Sequence, residues 1–154
     1  MPLTFSIVTQ EREVLRRDDV LRLIVPTTEG QITVLPSHAA LMASLEIGEL
    51  IAVVPGEEHA FAIHGGFMQV TNDEVTVLAD AAEHIDEIDA ERADEARARA
   101  EQRLSATASE ESFDLLRAQL SLQRALLRQR IARRGARSGT ALRTLVAPLR
   151  RRVS

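Results

Sequence analysis

A chain of 154 residues without one cysteine has room for one ordinary domain and a smaller appendage, and its chemistry excludes disulfides, thiol nucleophiles and thiolate-held zinc or iron–sulfur centres. Its formal net charge of −4 conceals a division: residues 1–114 hold 8 arginines and 23 acids, whereas residues 115–154 hold 11 arginines and no acid. The carboxyl-terminal segment is therefore expected to meet an anionic partner, whether acidic protein, nucleotide, nucleic acid or lipid.

The opening MPLTFSIVTQEREV turns polar too soon for a secretory signal. The longest apolar runs hold five residues where a membrane span needs about 20, so a cytoplasmic chain that does not itself span a membrane is expected. Leu3, Phe5 and Ile7 alternate with polar residues and predict an opening strand. Further strands are predicted at Val20–Val25, Gln31–Leu35, Glu49–Val54, His59–Ile63, Phe67–Val70 and Glu74–Ala79, all rich in Val, Ile and Thr. Turn residues separate them: TTEG at 27–30, PSH at 36–38, PGEE at 55–58, GG at 65–66 and TND at 71–73. Spacings of about 8 to 12 residues predict an antiparallel β-sandwich or barrel over residues 1–84.

After Ala79 the chain turns to Ala, Glu and Arg, with no Gly or Pro until Gly135. Two helices fit, forming a hairpin over residues 85–132. Asp86 or Asp89 is expected to cap the first, with Glu87 and Glu91 in its positive first turn, while SATASEES at 105–112 supplies a connection and a second cap at Ser109 or Ser112. One stripe holds Ala93, Ala96, Ala100 and Leu104, the other Leu115, Ala118, Leu122 and Ala125. At about 25 cal/mol per Å² such small side chains gain little by burial, so the hairpin is expected to detach from its packing site. Residues 133–154 read as a basic tail broken by Gly135, Gly139 and Pro148, mobile in isolation, with at most a short amphipathic turn around Leu142, Leu145, Val146 and Leu149.

Four strings, in this order, resemble the epsilon subunit of bacterial F-type ATP synthases over residues 1–132: EGQITVLPSHAAL, IHGGFMQVTNDEVTVLADAAE, IDAERA and LRAQLSLQRALLR. Thr33 and Ser37 depart from the family pattern, which often has Gly at the first and Gly or Asn at the second. The resemblance implies a non-catalytic rotor subunit of the central stalk, in a proton-translocating complex on the cytoplasmic face of the cell membrane. It implies a sandwich that joins the gamma subunit and sits on the c-ring, and a hairpin that contacts the catalytic alpha and beta subunits. Folded down, such a hairpin would permit hydrolysis and synthesis; extended along gamma, its Arg-rich second helix would resist hydrolysis. No cofactor is required, and the identity of the coupling ion lies in another subunit.

Arg92 and Arg99 are seven residues apart, as are Arg117 and Arg124, and Arg128 follows Arg124 by four, so each set shares a helical face. If antiparallel pairing brings the sets together, an anion or the carboxylates of Glu83 and Asp89 must lie between them. By resemblance, Ile88, Asp89, Arg92 and Ala93 match the Ile/Leu-Asp-x-x-Arg-Ala motif of a regulatory ATP site, with Glu83, Arg99, Arg124 and Arg128 in equivalent positions. Guanidinium forks suit phosphate oxygens, and bound ATP would cross-link the two helices. The plainer alternative has Asp89 capping a helix and the arginines in surface ion pairs with neighbours such as Glu95 and Glu101, each worth about 0–1 kcal/mol.

His38, His59, His64 and His84 stand in separate turns and strand ends and predict no metal site. His38 is expected to close a turn, and His64 to face an interface or solvent. Gly65-Gly66 lacks phosphate-loop spacing; a positive φ or close backbone approach explains it. No Ser-His-acid order or spaced carboxylate pair predicts catalysis. A nucleic-acid module using the Arg tail is opposed by a content of four Phe, no Tyr and no Trp and by the acidic remainder, and nothing marks a small-ligand enzyme on a barrel.

Overall fold

The computed structural model describes residues 1–106 and 112–145, with side chains described through 106 and over 115–134. Eight strands precede two helices: β1 (Leu3–Val8), β2 (Glu13–Val20), β3 (Arg22–Thr27), β4 (Gly30–Val34), β5 (Leu41–Val54), β6 (Glu57–Thr71), β7 (Glu74–Ala79), β8 (Ala82–His84), α1 (Ala90–Ala106) and α2 (Ser112–Leu145). The strands hydrogen-bond in the order β2-β1-β7-β6-β5-β3-β4, with β8 added to β6. All pairs are antiparallel except β1 with β7.

Leu3, Phe5 and Ile7 of β1 are fully buried, as their alternation predicts, and they share one core with Leu23 and Val25 of β3 and with Leu50, Phe61 and Met68. β1 and β3 stand far apart along the sheet, so one core can contain both only if the sheet folds over on itself. The long β5 and β6 pair without interruption of direction from Leu41↔Val70 to Val54↔Glu57 and supply both layers of the resulting sandwich.

Several strand boundaries differ from expectation. The predicted strand Val20–Val25 is two: Val20 closes β2, Arg22 opens β3, and the Leu21 N–H between them donates to Val53 O at 2.8 Å. β2, EVLRRDDV, escapes sequence reading because it is an edge strand with only Val20 fully buried, so charged residues replace the apolar alternation. β5 begins eight residues earlier than the predicted Glu49. Gly48 lies within it because a Cβ there would stand 2.6 Å from Pro26 Cβ. Gly65 and Gly66 do not end a strand; at φ +88° and +121° they lie inside β6, which merges two predicted strands. Asn72 and Asp73, both at positive φ, make the tight turn from β6 to β7 that TND predicts.

Of the two candidate caps, Asp89 serves α1: its Oδ1 accepts from the N–H groups of Glu91 at 2.9 Å and Arg92 at 3.4 Å. Asp86 instead lies in a short 3-10 turn, Ile85–Glu87. Asp89→Ala is expected to cost about 1 kcal/mol of α1 stability, seen as faster amide exchange confined to the first turns of that helix. Ser109 lies outside the described residues, as does the side chain of Ser112.

Ala93, Ala100, Ala118 and Ala125 are buried, and α1 packs along α2. Docking on the sandwich uses different residues: Leu127 and Ile131 of α2 close over Ala62, with Ile47, Ile85 and Ile88 at the margin. α2 runs for 34 residues and continues through Gly135 and Gly139, where a break and a tail from residue 133 were expected. A glycine inside a helix costs about 1 kcal/mol relative to alanine, a penalty that Ala, Arg and Leu neighbours absorb. Residues 146–154, including Pro148, lie outside the described residues. Among the described residues no helix is long and apolar enough to cross a membrane.

Candidate functional site

The junction between sandwich and hairpin gathers most of the predicted ligand residues. β8 pairs with β6 through Phe61↔His84, Ala62↔Glu83 and Ile63↔Ala82, which presents Glu83 at the sheet surface just before the chain leaves it. The 3-10 turn and Asp89 then start α1, and α2 returns antiparallel to bring Arg128 back to the same place. Arg128 forks onto Glu83, Nε donating to Oε2 at 2.7 Å and Nη2 to Oε1 at 2.9 Å. Such two-bond, charge-assisted contacts are geometrically selective.

His64 stands beneath this pair, buried, with its Nε2 3.7 Å from Glu83 Oε2. Neither ring nitrogen has a hydrogen-bond partner among the described residues. The His64 ring and, with it, the Arg128 guanidinium overcome burial and pull the Glu83 carboxyl down from its ordinary 4.5 to about 2. At 3.7 Å the histidine contact is too long for a hydrogen bond, so the fork from Arg128 is the firmer of the two. His64 thus faces the intramolecular junction rather than solvent. Glu87 is braced separately: Arg12 Nη2 donates to it at 3.0 Å, and the His84 N–H at 3.2 Å. The Arg12 guanidinium holds that carboxyl below its usual range.

Glu83, Ile88, Asp89, Arg92, Ala93 and Arg128 surround a small cavity of about 220 Å³. Arg92 extends into solvent, its side chain 87% exposed, with Asp89 Oδ2 3.8 Å from its Nε. Arg99 and Arg124, predicted to belong with them, are exposed and lie outside the cavity wall. Carboxylates therefore stand beside two of the arginines, Glu83 with Arg128 and Asp89 with Arg92. Glu87 and Ala96 also line the cavity; nothing in their spacing singles them out, and only the turn at 85–87 brings Glu87 in. A larger cavity of about 850 Å³ between β5 and α2 holds none of the predicted residues.

The two helices are joined by a cross-link that sequence reading missed. Arg97 Nη1 donates to Gln129 Oε1 at 2.8 Å, and the Gln129 amide donates to Asp94. Arg97 also pairs with Glu101 at 2.9 Å, the kind of surface pair expected along α1. Of the histidines, His38 closes a turn with its N–H on Leu35 O at 3.2 Å, while His59 and His84, 25 residues apart, come side by side.

The family model for the β-sandwich domain of the ATP synthase delta/epsilon chain matches residues 2–85, and the model for its long alpha-helix domain matches residues 86–133. The chain belongs to the ATP synthase delta/epsilon family. The ATP synthase epsilon chain of Herpetosiphon aurantiacus is 44% identical over 133 residues, spanning 86% of this chain and 96% of that one. That of Chloroflexus aggregans is 51% identical over 100 residues, 65% of this chain and 71% of the relative. Among solved structures, a chain of the Euglena gracilis mitochondrial ATP synthase superposes with a TM-score of 0.70 at 22% identity, covering 79% of this chain and 76% of that one. A chain of the Tetrahymena thermophila mitochondrial ATP synthase central stalk and c-ring superposes with a TM-score of 0.60 at 15% identity, covering 86% and 97%. These two likenesses bear out the fold, a β-sandwich followed by two helices. The family match stops at residue 133, whereas α2 continues to Leu145.

Proposed function

We propose that the chain is a non-catalytic central-stalk subunit of a proton-translocating F-type ATP synthase, whose helical hairpin regulates hydrolysis and senses ATP. Family membership supports the first half of this reading, with the sandwich on gamma and the c-ring and the hairpin toward alpha and beta. Attachment to the cytoplasmic face of the cell membrane would then be indirect, through the complex.

The sensing half rests on one observation: Arg128 of α2 and Arg92 of α1 meet Glu83 and Asp89 around a single cavity at the point where the hairpin leaves the sandwich. A ligand bridging those arginines would tie both helices to the sheet and favour the folded-down form. It shifts the balance only by its differential affinity, and moving from 1:99 to 99:1 takes about 5.5 kcal/mol. At about 220 Å³ the cavity is below the roughly 300 Å³ at which ligand sites begin. Exposed Arg92 must therefore swing over the phosphates, and the Glu83 fork must share Arg128.

Calorimetric titration of ATP into the full chain, with and without Mg²⁺, tests this. Saturable binding is expected, weakened about tenfold or more in Arg92→Ala and in Arg128→Ala, since each removes a charged hydrogen-bond donor. Arg124→Ala separates geometry from motif: a cavity-bound nucleotide leaves it close to the parent, whereas loss there would extend the site along α2. Absence of saturation at millimolar ATP would sink the sensing role.

A further inference from the structure

His59 and His84 belong to neither the core nor the cavity. His84 stands opposite Phe61 in the β6–β8 pairing, and His59 is two residues before Phe61 on β6, so the two histidines are diagonal neighbours on one sheet face, a distance that long side chains span. The Phe61 ring meets His84 edge-on at 4.9 Å between centroids, which limits how the imidazole can turn. His59 Nδ1 and His84 Nε2 face each other at 3.3 Å.

We propose that these two nitrogens form a site for a divalent transition-metal ion of the zinc class, at the base of the hairpin. Zinc–nitrogen bonds of about 2.0–2.1 Å at a tetrahedral angle place the two donors about 3.3–3.4 Å apart, which matches the observed separation of 3.3 Å. The opposite nitrogen of each ring lies near a carboxylate: His59 Nε2 is 3.5 Å from Glu57 Oε2, and His84 Nδ1 is 3.4 Å from Asp86 Oδ2. Metal-binding histidines characteristically rest their second nitrogen on such a group, which orients the ring and strengthens the donor. Both side chains remain partly open, 14% and 21% exposed. No cluster of three or more His, Cys, Asp or Glu suited to a metal ion occurs among the described residues, so water takes the remaining coordination positions. Arg17 Nη1 stands 3.4 Å from His59 Nε2, on the ring edge away from the site, and its charge is matched by two hydrogen bonds to Asp19.

Without metal, His84 Nδ1 accepts the Asp86 N–H at 3.1 Å, which requires the ring proton on Nε2, where it points at His59 Nδ1. A metal at Nε2 moves that proton to Nδ1 and toward Asp86 Oδ2, with no net proton released. The Asp86 N–H then loses its acceptor. Metal binding is thereby coupled to the 3-10 turn through which the chain enters the hairpin.

Zinc titrated into the full chain against a chromophoric chelator at fixed neutral pH should show one equivalent bound. Cobalt(II) in its place should give the visible absorption of a tetrahedral ion. His59→Gln and His84→Gln should each weaken zinc about tenfold or more, and Glu57→Gln should weaken it measurably. Amide exchange at Asp86 should quicken on zinc addition in the parent and not in His59→Gln. His84→Gln also removes the turn's cap, so His59→Gln, which leaves the turn intact, is the decisive variant. Zinc uptake unchanged in His59→Gln, or no saturable uptake by the parent, overturns the site and leaves a plain imidazole–imidazole hydrogen bond.

Discussion

Removing residues 85–154 is expected to raise ATP hydrolysis by the assembled complex about fivefold or more, the lower end of ordinary coupling energies, and to leave incorporation of the remaining sandwich unaffected. Incorporation should survive because the main core, from Leu3 to Ala82, is made wholly of strand residues from the first 82 positions, and the hairpin supplies none of them. Truncation exposes Ala62 and Ile47 and releases Glu83 from Arg128, a local loss at one face. Hydrolysis should rise because residues 115–132 carry Arg117, Arg124, Arg128 and Arg130 and no acid, a positive helix suited to acidic surfaces of the catalytic subunits. The measurement is ATPase activity of complexes reconstituted with full or truncated chain at equal occupancy, with gamma co-purification as the assembly control. Unchanged hydrolysis at full incorporation counts against inhibition by the hairpin.

Gly66→Ala is expected to destabilise the sandwich by about 3 kcal/mol or more, a large part of a typical domain's total stability. Gly66 has φ +121°, a region that side chains rarely adopt, and it stands opposite Ala79 in the β6–β7 register. A Cβ there would lie 2.1 Å from Leu78 O and 2.8 Å from Ala79 Cα. Both obstacles are backbone, so no rotamer change relieves them. Gly56→Ala is the control: its φ is +77°, but a Cβ there meets nothing within 4 Å, and only the conformational cost of about 1 kcal/mol remains. Urea midpoints for the two variants should differ clearly. A Gly66→Ala midpoint equal to that of Gly56→Ala would mean that β6 and β7 separate there at little cost.

The contrast between these glycines shows how far sequence reading reaches. HGG in a string of apolar residues reads equally well as a turn or as a close approach; the strand continues through it because β7 lies across it, which is a fact about residues 78 and 79. Likewise β2 is invisible to periodicity because an edge strand need not alternate, and α2 outruns Gly135 because a glycine weakens a helix without ending it. Leu127 and Ile131, the residues that dock the hairpin, are ordinary leucine and isoleucine until the position of Ala62 is known.

Local chemistry alone determined the alternating opening strand, the Asn72–Asp73 turn, a cap at Asp86 or Asp89, the pair of Ala-striped helices and the division of charge, because each depends on neighbours within about four positions or on composition. The order of the resembling strings carried the family. Tertiary structure decided the rest: which arginines reach the cavity, that Arg128 and not Arg124 meets Glu83, that His64 is buried against that pair, and that His59 and His84 face each other. Those contacts join residues 19 or more positions apart, and their distances are set by strand register and helix docking, which no spacing in the chain encodes.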